Sequence, residues 1–290
     1  MQPQQEQQIR DLAQRGYAAL FSLAPFMKPL NDVVADRRHK HALMALATAC
    51  LRESEAIIFL VQSRRVWSAD VLMRSVLEGS VKFAYILESP ATFAARCIEF
   101  RDVLPAIAKL RWHGKAEEWL NAVGENGSRE QRPYRDVLLS EKELEELRTA
   151  YPRELRSAVE SRWGFTSLLT AISKPGGAFG PVGRSLLHPY AVASHLIHMS
   201  YDGSDIPLER DSRPDERRDA IGVAHAAVLI NDCLDFAHVR ANVVHRYTGH
   251  PPDELYAELK RQGPLRDDLS ALVREWEDVE YGKPAEGSGH

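Results

Sequence analysis

Asn231, Asp235, His238, Asn242 and His245 recur at spacings of 4, 3, 4 and 3 residues. At about 100° per residue they fall within roughly 80° of one helical face, with Leu229, Ile230, Cys233, Phe236, Ala237, Val243 and Val244 on the other sides. A face meant only for water would carry Glu, Lys, Gln or Arg, because Asn, His and Asp are poorer helix formers by up to ~0.7 kcal/mol each. Such residues in mid-helix call for partners, so the stripe is expected to be buried or to line a cavity. Histidine titrates near neutral pH and serves as acid, base or metal ligand, and the neighbouring Asn and Asp are suited to orienting it.

Two other constellations carry chemistry. Asp70, Arg74, Glu78 and Lys82 repeat every four residues. They read either as an exposed ladder of ion pairs, each worth about 0.2 to 0.5 kcal/mol, or as a cleft wall, since Trp67, Val71, Val81 and Tyr85 share their arc. His195-x-x-His198 and Asp235-x-x-His238 each place two ligand-type side chains one turn apart. On facing helices, with Glu55 or Glu78 nearby, these four would suit Zn, Mn or Fe. The alternative is that they are hydrogen-bonded core or interface histidines. The chain has no Glu-x-x-His, the motif that bridged di-metal bundles supply in pairs. The basic run Arg37 to His41 is spread around a helix axis rather than gathered into a patch, and Trp112, Trp119 and Trp163 read as core.

Two family resemblances rest on these residues. Ser68-Ala69-Asp70 leading into Arg74-Ser75-Val76-Leu77-Glu78, together with Ser194-His195-Leu196-Ile197-His198, resembles a group of bacterial helical proteins known only as a domain of unknown function. There an Arg-Ser-x-x-Glu helix precedes a Ser-x-x-x-His helix. The resemblance spans roughly residues 40 to 250 and implies that Arg74, Glu78, Ser194 and His198 belong to one site, with His195 and His238 expected in the same pocket. It implies no known reaction.

Arg240-Ala241-Asn242-Val243-Val244-His245 has the form R-x4-H and resembles the signature of the HEPN ribonucleases, all-α proteins of toxin and defence systems. That likeness implies metal-independent RNA cleavage, with Arg240 on the phosphate, His245 as acid or base, and Asn242 and Asp235 orienting it. Five positions of ideal helix put Arg240 about 140° from His245, so the pair meets one substrate only across a homodimer or at a break in the helix.

The elements that must position these groups are helical. Apolar residues repeat at three and four throughout, and no alternating run competes as a strand. The expected class is all-α, a multi-helix bundle with two or three long central helices and short peripheral ones. Helices are expected at about 5–23, 29–64, 67–88, 91–112, 115–123, 129–150, 153–173, 186–200, 214–247, 251–261 and 265–281. They form a single domain over 1–281, with its core at 29–247, peripheral helices at 251–281 and a tail at 282–290. Stretches 124–133, 173–189 and 202–214 lack periodicity and read as loops; the glycines of the second match no phosphate-cradling motif.

Bulk properties narrow the classes. The chain has 290 residues, 44% hydrophobic and 27% charged, with a formal charge of -4, which excludes a broad DNA-coating surface. Its three cysteines are far apart and read as reduced core thiols of a cytoplasmic protein. The N-terminus lacks signal-peptide character, and the apolar stretch Ala42 to Leu51 is about half a membrane span. The leading functional expectation is a HEPN-like ribonuclease with no cofactor and RNA as its partner. A metal-dependent enzyme using His195, His198, Asp235 and His238, and a non-catalytic ligand- or partner-binding module, stand as alternatives.

Overall fold

A computed structural model describes residues 3–124 and 128–282, with no strand among them. Its helices are α1 (Pro3–Ser22), α2 (Pro29–Val33), α3 (Arg37–Gln62), α4 (Val66–Ile86), α5 (Pro90–Ile98), α6 (Leu104–Val123), α7 (Arg132–Arg135), α8 (Glu141–Ala150), α9 (Arg153–Arg162), α10 (Phe165–Ile172), α11 (Leu187–Ile197), α12 (Tyr201–Asp211), α13 (Asp215–Thr248) and α14 (Asp253–Tyr281). All-α architecture thus stands as the sequence implies.

The core lies where α3, α4 and α13 meet, closed by α1 on one side and α14 on another. The α3–α4 hairpin packs closely because Gly79 has no side chain: a Cβ there would stand 2.4 Å from Cys50 Sγ. Gly16 admits Ile230 of α13 against α1 in the same way, at 2.6 Å. All three cysteines are free and buried. Helix α13 is long and apolar enough to cross a membrane by length and composition, but 61% of its most apolar window is buried inside this bundle. Polar residues punctuate this helix, so its longest uninterrupted apolar run is short even though its overall hydropathy is high.

Several element boundaries differ from expectation for local reasons. The helix expected over 29–64 breaks at Val34 to Asp36, where the Asp36 side chain accepts from the backbone N–H groups of Arg38 and His39 at 2.7 and 2.9 Å. Residues 90–123 run on without a break at Gly114; a π turn over Glu99–Val103 joins α5 to α6 just before Pro105. The span expected as a charged loop, 202–214, is mostly helix: α12 starts on a Ser200 cap and tolerates Pro207 inside it. Likewise α14 runs through Pro264, which is exposed on the surface of the helix. Trp163 is buried as expected, whereas Trp112 is 60% exposed and not part of the core. The expected tail, apart from Gly282, and part of the loop at 124–133 lie outside the described residues.

Candidate functional site

The four-residue repeat on α4 sets Asp70, Arg74, Glu78 and Lys82 on one face, and each is half-buried rather than exposed. Helix α11 covers the middle of this face. Arg74 uses its whole fork: Nε donates to Glu78 Oε1 at 3.0 Å, Nη1 to Ser194 Oγ at 3.1 Å and Nη2 to Tyr190 Oη at 2.8 Å. The Tyr190 hydroxyl in turn donates to Glu78 at 3.1 Å, and Lys82 Nζ lies 3.4 Å from the other Glu78 oxygen. The guanidinium also sits 4.6 Å from the Tyr190 ring, which stacks on Phe165 of α10 at 3.9 Å.

Burial works against charge on both Arg74 and Glu78, yet their mutual bond and the neighbouring Tyr190 and Lys82 outweigh it. Arg74 is held above its ordinary value and Glu78 below its own. Burial and the Glu78 charge push the Tyr190 phenol up. The network is closed and self-satisfied, so it ties α11 to α4.

The N-terminal end of the same face is different. His225 Nε2 of α13 is 2.7 Å from Asp70 Oδ2. The Trp67 indole meets the His225 ring edge-on at 4.9 Å, and the Arg210 guanidinium of α12 lies 5.1 Å from the Trp67 ring. Burial, then the nearby Arg213, depresses the Arg210 pKa; Asp70 pulls it the other way. Seven residues beyond His225 on α13, Asp232 is held at about 7 by burial and by the charges of Asp235 and Asp70. Together Arg210, Trp67, His225 and Asp70 put a cation and an imidazole–carboxylate pair around one half-buried patch, with Asp232 about two turns further along α13.

Helices α11 and α12 meet at a tight corner. Met199 takes a left-handed φ of 47°, and Gly203 lies so close to the His195 carbonyl oxygen that a Cβ would be 2.1 Å from it. His195 is exposed, its Nδ1 2.9 Å from Ser200 Oγ, and His198 is the exposed C-cap of α11. Neither is bonded to Arg74, Glu78 or Ser194 among the described residues: His195 lies about 100° round the helix from Ser194, and His198, one turn beyond Ser194, is exposed at the helix end.

The polar stripe of α13 faces α14 instead. Asn231 Nδ2 donates to Asp235 at 2.8 Å, and Arg266 Nη1 donates to both Asn231 Oδ1, at 3.1 Å, and Asp235. His238 is half-buried beside them; burial and then the Arg266 charge lower its pKa. Asn242 is half-buried, and His245 is buried with Nδ1 3.1 Å from the Pro251 carbonyl oxygen, next to Phe26 and His250. The stripe therefore forms the α13–α14 seam and the turn into α14. The single pocket expected to gather Arg74, Glu78, Ser194, His195, His198 and His238 is divided among three places.

Arg240 and His245 also separate. Arg240 is 4% exposed, pointing into the core, where its Nη1 donates to Ser80 Oγ of α4 at 2.6 Å. Helix α13 continues unbroken through both residues, so the 140° offset persists and the pair cannot close on one phosphate within the chain. The metal quartet fails on the same grounds: α11 packs on α4 and α12, while Asp235 and His238 turn to α14. Among the described residues, no group of three or more His, Cys, Asp or Glu is placed to hold a metal ion.

Sequence reasoning missed Tyr190, Arg210, His225 and Asp232. Tyr190 has a visible signal, lying one turn before Ser194 on the same face. Arg210 fell in a span read as loop, and the pairing of His225 with Asp70 joins helices that no short-range spacing connects.

The family of unknown function DUF5677 matches residues 40–213 of this chain. No curated protein and no solved structure matches it.

Proposed function

We propose, for a chain that belongs to the DUF5677 family, a function as a ligand-binding helical module whose site is the α4 face from Trp67 to Glu78 and whose ligand is a small anion. Arg210 carries the reading. It is half-buried and stacked on Trp67, and it makes no hydrogen bond or ion pair to a carboxylate among the described residues. A half-buried cation with no hydrogen-bonded carboxylate has unused donors, and an entering anion would supply their acceptor. His225 stands at the same patch, its ring against Trp67 and its Nε2 held by Asp70. Matched residues of the family include Asp70, Arg74, Tyr190, Ser194 and Arg210, so most of the site falls within the matched stretch.

The ribonuclease reading has less support, since its arginine is turned into the core away from His245, and the RNA partner and homodimer it required lose support with it. A metal-dependent enzyme is disfavoured by the separation of its ligand pairs. The buried free thiols favour a reducing, cytoplasmic setting.

Isothermal titration of the full chain with inorganic phosphate and with succinate tests the reading. Saturable binding that weakens with added salt and is lost in Arg210→Ala is expected. Absence of binding by both probes, or binding unchanged in Arg210→Ala, would remove it.

A further inference from the structure

Eight residues beyond Asp232 on α13, a second site is built around Arg240. A pocket of about 100 Å³ opens between the end of α1, α3 and α13, lined by Leu20, Leu23, Met27, Met44, Leu51 and Ala237, with Thr48 at its exposed rim. Arg240 forms part of its wall and is the one charged residue lining it. Its only hydrogen bond among the described residues is Nη1 to Ser80 Oγ, and that hydroxyl is a neutral group already donating to the Val76 carbonyl oxygen at 2.6 Å.

No carboxylate balances this guanidinium; the titratable groups that act on it are the thiols of Cys50 and Cys233. Burial pushes both thiols up, Cys233 to about 12, so neither carries charge at neutral pH. Burying an arginine costs several kcal/mol unless an anion and further acceptors meet it, and other partly buried arginines here have such a carboxylate: Arg74 has Glu78, Arg266 has Asp235, Arg96 has Glu88.

We propose that this pocket binds a small amphipathic monocarboxylate, its carboxylate paired with Arg240 and its short apolar tail lying among Leu23, Met27, Met44 and Leu51. One guanidinium balances one negative charge, so a dianionic phosphate would bring an uncompensated charge into an apolar wall, whereas a carboxylate matches the planar fork. The volume suits a short acyl or aryl group rather than a long chain. This site is separate from the α4 face, and its test does not depend on that reading.

Hexanoate is the probe, with 1-hexanol as the uncharged control, each titrated calorimetrically into the full chain and scored in parallel by thermal unfolding. Hexanoate should bind saturably and raise the melting temperature, and hexanol should bind at least about tenfold more weakly. Arg240→Met keeps the volume, removes the charge and should abolish hexanoate binding. Should that variant fail to fold, Thr48→Trp at the exposed rim should block the pocket while leaving Arg240 in place, with the same loss. Equal binding of hexanoate and hexanol, hexanoate binding that survives either substitution, or no binding of hexanoate to the unmodified chain overturns the proposal.

Discussion

His225 Nε2 and Asp70 Oδ2 stand 2.7 Å apart and join the start of α4 to the first third of α13. Asp232 lies one helical stretch further along α13, and Asp70 contributes to its raised pKa. The first prediction concerns Asp232.

Asp232 should titrate at about 7, against an ordinary value of 3.8. Its folded pKa is raised, so the folded chain holds a proton that the unfolded chain has released between pH 4 and 7. Stability from this group falls as pH rises through that window and is level above it. Asp232→Asn should flatten the slope and raise stability at pH 8 by about 2 to 4 kcal/mol. Urea unfolding at pH 5 and pH 8 measures both. A variant whose pH profile overlays the parent would show that Asp232 is charged in the fold. Carboxyl NMR of Asp70→Asn should show the Asp232 titration moving downwards.

Arg74→Lys keeps a charge but cannot reach Glu78, Tyr190 and Ser194 together, because an ammonium lacks the planar fork. A loss of about 1 to 3 kcal/mol is expected in chemical denaturation. Hydrogen exchange should quicken in α11 before α3. Unchanged protection of α11 would mean that apolar contacts alone hold it.

Ser80→Ala removes the one hydrogen bond that Arg240 makes among the described residues and should cost about 1 to 3 kcal/mol in the absence of ligand. In an Arg240→Met background the same change should cost almost nothing, since no buried donor is left stranded. A double-mutant cycle reads the difference directly. Additive costs would disconnect the two residues.

His238 has a depressed folded pKa, through burial and then Arg266. Between that value and the unfolded 6.5, the unfolded chain binds the extra proton, so stability from this group is present above pH 6.5 and is lost as pH falls. Arg266→Gln should raise the His238 pKa in an NMR titration. If the pKa stays put, burial alone sets it.

Much of the architecture was legible because apolar residues at three and four spacing mark helix faces whatever they pack against. The errors cluster where proline and glycine dominated the reading. Pro264 and Gly114 read as breaks but sit inside continuous helices, Pro264 exposed on the surface of its own and a single helical glycine costing only about 1 kcal/mol. Helix α12 was invisible because Gly203, Pro207 and a charged surface erase its periodicity. At the site, the motif placed Arg74, Glu78 and Ser194 near one another, and the structure bonds them through Arg74. The α13 stripe was visible as a face, but which helix would cover it was not, because Arg266 sits on an element expected to be two separate pieces. The spacing of Arg240 and His245 already contained their divergence; what it did not contain was a destination for each.

The contact between Gly203 and the His195 carbonyl leaves no room for even a methyl group between α11 and α12. The two helices therefore travel as one piece, carrying Tyr190, Ser194 and Arg210 together. If a ligand is to enter the α4 face, the joint that yields is the seam between this piece and α4, across the two bonds of Arg74 to Ser194 and Tyr190. Arg74 is then less a contact surface than a latch, and its strength sets how often the door stands open.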